Sequence, residues 1–145
     1  MDEWVVHQRI KIPFMYTAGR ALTRFLEGLA RGEIWATRCA SCGRVYLPPL
    51  NFCGRCWRGI DRWCQLPPLG ELISYTIIQR PLPEHPDRSP LILGLIRLDG
   101  ADTNLVHLIG DVDPSEVERV TRVRAVWRDE RPASILAISH FAPLT

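Results

Sequence analysis

Residues 38–56 read RCASCGRVYLPPLNFCGRC, and this stretch decides how the rest of the chain is organised. It holds two C-x2-C pairs, Cys39/Cys42 and Cys53/Cys56, with ten residues between the inner cysteines. Each pair makes a tight turn that aims two thiolates at one ion, and two pairs a hairpin apart compose a tetrahedral sulfur site. Gly43 follows the first pair and can take the positive φ that such a turn needs. Trp57 follows the second, so that knuckle is expected to differ in detail. Four thiolates fill the coordination sphere and leave no position for water or substrate, which gives the metal a structural role. The expected cofactor is one structural Zn2+ held by Cys39, Cys42, Cys53 and Cys56. Iron in a rubredoxin-type site is the alternative that the same donor set admits. This segment has too few apolar residues to fold without its metal.

Upstream, residues 1–14 read as an extended leading segment. A helix follows, with Thr17 as N-cap, an apolar stripe of Ala21, Leu22, Phe25, Leu26 and Leu29, and Gly32 as its C-terminal stop. Short strands over 33–37 and 44–47 enclose the first knuckle, and 58–68 reads as a linker because Gly59 and Pro67-Pro68 are turn signals. Downstream, strands are expected at 71–79 (ELISYTIIQ), 91–98 (LILGLIRL), 103–109, 121–127 and 134–141, with a proline-rich loop over 80–90. Asp113-Pro114 starts a helix of only a turn or two between the third and fourth. Five strands with a short helical element in that place suit a closed barrel of the OB type. The expected fold is mainly β with an N-terminal helix: segment and docking helix over 1–32, rubredoxin-like zinc ribbon over 33–66, five-stranded OB barrel over 67–145.

Composition limits the function classes. At 145 residues and 46% hydrophobic, the chain can bury an ordinary core. No apolar run approaches the roughly 20 residues of a membrane span, and residues 1–11 have no signal-peptide core, so a cytoplasmic location is expected. Thiols stay reduced there, so the cysteines read as ligands plus Cys64, a small hydrophobe between the modules. The formal net charge is only +2, which argues against a nucleic-acid partner, although all basic residues except Lys11 are Arg. His7, His85, His107 and His140 are scattered, the strand serines lack a nucleophile elbow, and no Gly-rich phosphate loop occurs. The residues therefore read as a binding or scaffolding subunit with no catalytic set of its own.

The order of helix, RCASCGRVYLPPLNFCGRC, a linker with Trp63 and Gly70, ELISYTII, a proline-bearing loop, LILGLIRLDG and a final ISHFAP resembles the DUF35 family of zinc-ribbon plus OB-fold proteins. The likeness spans about residues 14–143, and its most specific parts are the cysteine spacing with Pro48-Pro49 and the order of modules. It implies a small partner of acyl-CoA enzymes. The leading IPFMYTAGRALTRFLEGLARGE looks most like the thiolase-associated branch, which includes the small subunit of benzoylsuccinyl-CoA thiolase. One departure is Glu118-Arg119-Val120-Thr121, where the family commonly has Gly before the fourth barrel strand.

Three functions compete. The first is a non-catalytic subunit of a thiolase-superfamily complex that cleaves, forms or transfers acyl-CoA carbon, in a heterotetramer with two copies of each chain. The partner would supply the Cys nucleophile, the base and the oxyanion hole. Phe25 and Leu29 are then docking candidates. Arg80, Arg88 and the tail from Phe141 are candidates for contact with CoA or substrate, since Arg forks suit phosphate. The second is a bare scaffold or a partner of an acyltransferase, an HMG-CoA synthase-type enzyme or a hydratase. The third is single-stranded nucleic-acid binding through the OB fold.

Overall fold

The computed structural model describes residues 4–5, 12–81 and 89–144. The helix α1 runs Gly19–Ala30 and buries Ala21, Phe25 and Leu29, three members of the expected stripe. Its end is as expected: Gly32, at φ 78°, lets Gly32 N–H reach Leu29 O and Glu33 N–H reach Gly28 O, satisfying carbonyls the last turn would leave open. Its start is not. Ala18 takes the cap position without a side-chain hydrogen bond, because Gly19 at φ 69° turns the chain after Thr17 and leaves that residue one place too early.

The ribbon is a three-stranded antiparallel sheet, β1 Ile34–Arg38, β2 Val45–Tyr46 and β3 Arg62–Leu66, in the order β2-β1-β3. The third strand corrects the expected linker over 58–68. RWCQL pairs along the whole of β1, from Ile34 opposite Leu66 to Arg38 opposite Arg62. Gly59 and Pro67-Pro68 are the turns that bracket this strand, and the residues between them are free to pair.

The barrel follows at once. β4 (Leu69–Ile78), β5 (Leu91–Leu98), β6 (Leu105–Ile109), β7 (Arg122–Trp127) and β8 (Ile138–Pro143) close in the order β4-β5-β6-β8-β7, with β7 returning to β4. β8 lies parallel to β6 and antiparallel to β7, the OB arrangement. Between β6 and β7 the helical element is a single 3-10 turn, Val117–Arg119. Asp113 closes a tighter loop instead of capping a helix: its Oδ1 accepts from Ser115 N–H at 2.9 Å. The last strand starts later than expected because residues 135–137 form another 3-10 turn, capped by Ser134 Oγ accepting from Leu136 N–H.

One apolar core crosses the join between ribbon and barrel. Phe25 and Leu29 of α1, Ile34, Ala36, Val45 and Leu47 of the ribbon, and Ile96, Val123 and Phe141 of the barrel belong to the same buried cluster. The β5–β6 turn bolts onto β2: Asp102 Oδ2 accepts from Val45 N–H at 2.8 Å, and Thr103 Oγ1 both accepts from Leu47 N–H at 2.7 Å and donates to Leu47 O at 2.8 Å. No helix among the described residues is long and apolar enough to cross a membrane.

Candidate metal centre

Both knuckles have one backbone form. In the first, Cys39 N–H donates to Arg44 O and Gly43 N–H to Cys39 O, each at 2.9 Å. In the second, Cys53 N–H donates to Arg58 O at 2.8 Å and Trp57 N–H to Cys53 O at 2.9 Å. The positive φ falls on the equivalent residue each time, Gly43 at 75° and Trp57 at 56°. The expectation that the second knuckle departs from the first is thereby corrected. Hydrogen-bonded turn geometry prevails over the side chain's preference, and Trp57 bears the strain.

The four Sγ atoms all lie within 4.8 Å of one another. A regular tetrahedron around an ion with metal–sulfur bonds of about 2.3 Å has edges of about 3.8 Å, and Cys42 Sγ lies 3.7 Å from Cys53 Sγ. Cys39 and Cys53 are buried, Cys56 is half-buried and Cys42 reaches the surface. The electrostatics also ask for a cation. Arg44 N–H favours the Cys42 thiolate, but desolvation and the neighbouring Cys56, Cys39 and Cys53 outweigh it and push this thiol up to about 11. Cys53 goes the other way, down to about 6, chiefly through the hydrogen bond from Tyr46, helped by the N–H groups of Cys56 and Arg55. The Tyr46 hydroxyl lies 3.2 Å from Cys53 Sγ and donates to it once that sulfur is a thiolate, and Cys56 N–H approaches the same sulfur at 3.4 Å. Sulfurs this close resist ionising together, and a divalent cation removes that conflict. The donor set suits one zinc ion.

Tyr46, 5% exposed, is a functional residue that the spacing argument missed. Its only sequence signal is a buried-type aromatic with a polar tip on the strand leaving the first knuckle. The other predicted contacts fare differently. Phe25 and Leu29 are 2% and 0% exposed inside the chain's own core, so the stripe that had no visible cover in the sequence is covered by β1 and the barrel. Phe141, at 0%, packs edge-on against His107 and presents no ring to a ligand, because β8 is a central barrel strand instead of the start of a tail. Arg80 is exposed just after β4, and Arg88 lies outside the described residues. Cys64 is half-buried on β3 and packs against the core.

A polar cluster also forms that distance in sequence conceals. Asp111, at φ 55°, accepts from or pairs with His140 Nε2 at 3.0 Å, and His140 Nδ1 lies 3.2 Å from Ser139 Oγ. These three residues border a cleft of ≈ 460 Å³ that also includes Ser89, Pro90 and Ile109.

A chain of helix, four-thiol ribbon and closed OB barrel on a shared core is a zinc-ribbon OB-fold protein. Residues 26–61 match the family described as ChsH2, rubredoxin-like zinc ribbon domain, and residues 63–128 the one described as ChsH2, C-terminal OB-fold domain. The chain belongs to the DUF35 family. A DUF35 domain-containing scaffold protein of Methanothermobacter thermautotrophicus is 28% identical over 102 residues, covering 70% of this chain and 76% of that protein. Its namesake from Methanocaldococcus jannaschii is 26% identical over 92 residues, covering 63% and 64%. Among solved structures, the Ltp2-ChsH2(DUF35) aldolase superposes with TM-score 0.67 over 86% of this chain and 95% of that one, and at 23% identity this likeness speaks for the fold. A DUF35-family crystal structure of unknown function from Sulfolobus solfataricus gives TM-score 0.57 at 27% identity, covering 66% and 72%.

Proposed function

We propose that this chain is a non-catalytic, zinc-containing subunit of a thiolase-superfamily acyl-CoA complex, cleaving, forming or transferring acyl groups at a site the partner builds. The observation that carries a subunit role is the leading segment: Ile12, Phe14, Met15 and Tyr16 are 73%, 77%, 100% and 68% exposed. Four large apolar side chains within five residues, all left in water, mark a surface that a second protein covers. The ribbon supports the reading, since a closed thiolate site holds shape and offers no open position for chemistry. The names of the relatives, a scaffold protein and an aldolase pairing, favour the same assignment. The class of partner comes from the family resemblance, benzoylsuccinyl-CoA thiolase being one instance and two copies of each chain the proposed assembly.

The barrel's part is to help enclose the acyl-CoA. Arg80 and the cleft beside Ser89 lie at the two ends of the proline-rich loop, where a CoA arm would pass. A second reading, a scaffold that touches no CoA ester, fits the same printed name, scaffold protein, as well as the first does. The nucleic-acid reading has thin support at the barrel: the outward surface of β4 to β6 carries one aromatic, Tyr75, among Leu93, Leu95 and Val106, with no row of rings on which successive bases stack.

Purification of the untagged protein from its own source, followed by sequencing of whatever migrates with it, tests the assignment. A thiolase-fold chain is the expected companion; a hydratase or no companion would refute it. Calorimetry with an acyl-CoA, on the chain alone and in its complex, then divides the two subunit readings. Tighter binding by the complex than by the partner alone supports the enclosing role.

A further inference from the structure

The second knuckle is an odd place for a tryptophan. The backbone at Trp57 is left-handed, a conformation that costs an L side chain energy and that Gly43 meets without strain at the equivalent position. No burial repays it, because Trp57 is 85% exposed. On the same knuckle Phe52 is 67% exposed, next to its bridge partner Gly59, and Leu50 is 45% exposed. The charges along this stretch of chain carry one sign. Between Ile34 and Ile60 stand Arg38, Arg44, Arg55 and Arg58 and no Asp or Glu. None of the ion pairs found among the described residues involves Arg55 or Arg58, which flank the tryptophan.

We propose that the Cys53–Cys56 knuckle is a docking anchor: Trp57 inserts into an apolar pocket on the catalytic partner, and carboxylates at the rim of that pocket meet Arg55 and Arg58. This rests on the subunit reading above and adds the surface through which it works. A large aromatic at the centre with Arg beside it is the composition of interface hot spots. The ring stands exposed before binding, and a tryptophan has only two side-chain torsions to fix on docking, so its large contact area comes at a small entropic cost. A protein is favoured over a nucleic-acid strand because the whole chain carries only +2 and the four thiolates around a divalent ion subtract two charges from the ribbon itself.

The test uses zinc-loaded full-length protein and, as probe, the purified thiolase-fold chain that accompanies it, titrated by calorimetry. Trp57→Gly suits the backbone and removes the ring, so it keeps its zinc and its fold. Its affinity is expected to fall at least about 30-fold. Arg55→Glu with Arg58→Glu is expected to weaken binding about tenfold and to flatten its dependence on salt. Wild-type affinity in Trp57→Gly would overturn the anchor while leaving the subunit reading intact. Wild-type protein that binds no thiolase-fold chain would overturn both. A parallel titration with the oligonucleotide dT20 covers the other class of ligand: dT20 binding lost in Trp57→Gly, with partner affinity unchanged, would reassign the knuckle to single strands and refute the anchor.

Discussion

Tyr46 shows how one hydroxyl is tied to the metal site. It is buried, its hydroxyl lies within hydrogen-bond reach of Cys53 Sγ, and by donating to the ionised sulfur it lowers the cost of the thiolate that zinc requires. Tyr46→Phe keeps the ring and loses only that bond, so zinc affinity is expected to drop about 10–100-fold in a competition with a chromophoric chelator while the fold persists. Unchanged affinity would show that the hydroxyl is incidental. Trp57→Gly relieves about 1–2 kcal/mol of left-handed strain, offset by about 0.5–1 kcal/mol of backbone entropy. It should therefore melt no lower than wild type and above Trp57→Ala in calorimetric scans. His107 adds a pH dependence. Burial is the main cause that lowers its pKa below the ordinary 6.5; the backbone carbonyl of Ile135 opposes this, while His140 and Arg128 add to it. The unfolded chain then binds the extra proton more readily, so stability is full above about pH 6.5 and declines as pH falls below it. In urea titrations at pH 7.5 and 5.5, His107→Gln should lose part of that decline. The ligand cysteines and Gly43 were legible because spacing and turn chemistry are local. Tyr46 and the Asp111–His140 pair were hidden because each depends on where another stretch of backbone arrives, and Trp57's left-handed backbone because the local turn overrides what its side chain signals.

Elements are legible in the sequence where their period is strong and hidden where a turn signal stands beside a strand. The stripe on α1 and the apolar run of β5 fixed both elements, since a 3.6-residue stripe and an unbroken apolar strand have few alternatives. β3 was hidden between Gly59 and Pro67-Pro68, and its strand identity comes from β1 offering a full edge, which propensity cannot reveal. The same blindness turned Phe25 and Leu29 into docking candidates. An amphipathic helix announces that something covers its stripe, and only the fold says that the cover is internal. The consequence is measurable. Leu29→Ala should destabilise the chain by about 2–5 kcal/mol, and the folded fraction should bind its partner with wild-type affinity. A specific loss of affinity without loss of stability would return α1 to the interface.

At the scale of the molecule, the sequence shows two modules and the structure shows one body. The shared core and the clasp of Asp102 and Thr103 on β2 make the ribbon part of the barrel's support. Removing zinc should therefore loosen more than the knuckles: chelation is expected to lower the melting temperature of the whole chain in one transition. Two separate transitions would show that the modules melt independently. In the proposed function, zinc holds a docking surface on a non-catalytic subunit. A native mass spectrum of the co-purified complex, wild type beside Cys53→Ser, tests it most directly. For wild type, the 16.6 kDa chain is expected to carry one zinc ion and to appear bound to a thiolase-fold chain; for Cys53→Ser, the metal and the partner are expected to be lost together. A zinc-free Cys53→Ser chain that still assembles at wild-type abundance would contradict it.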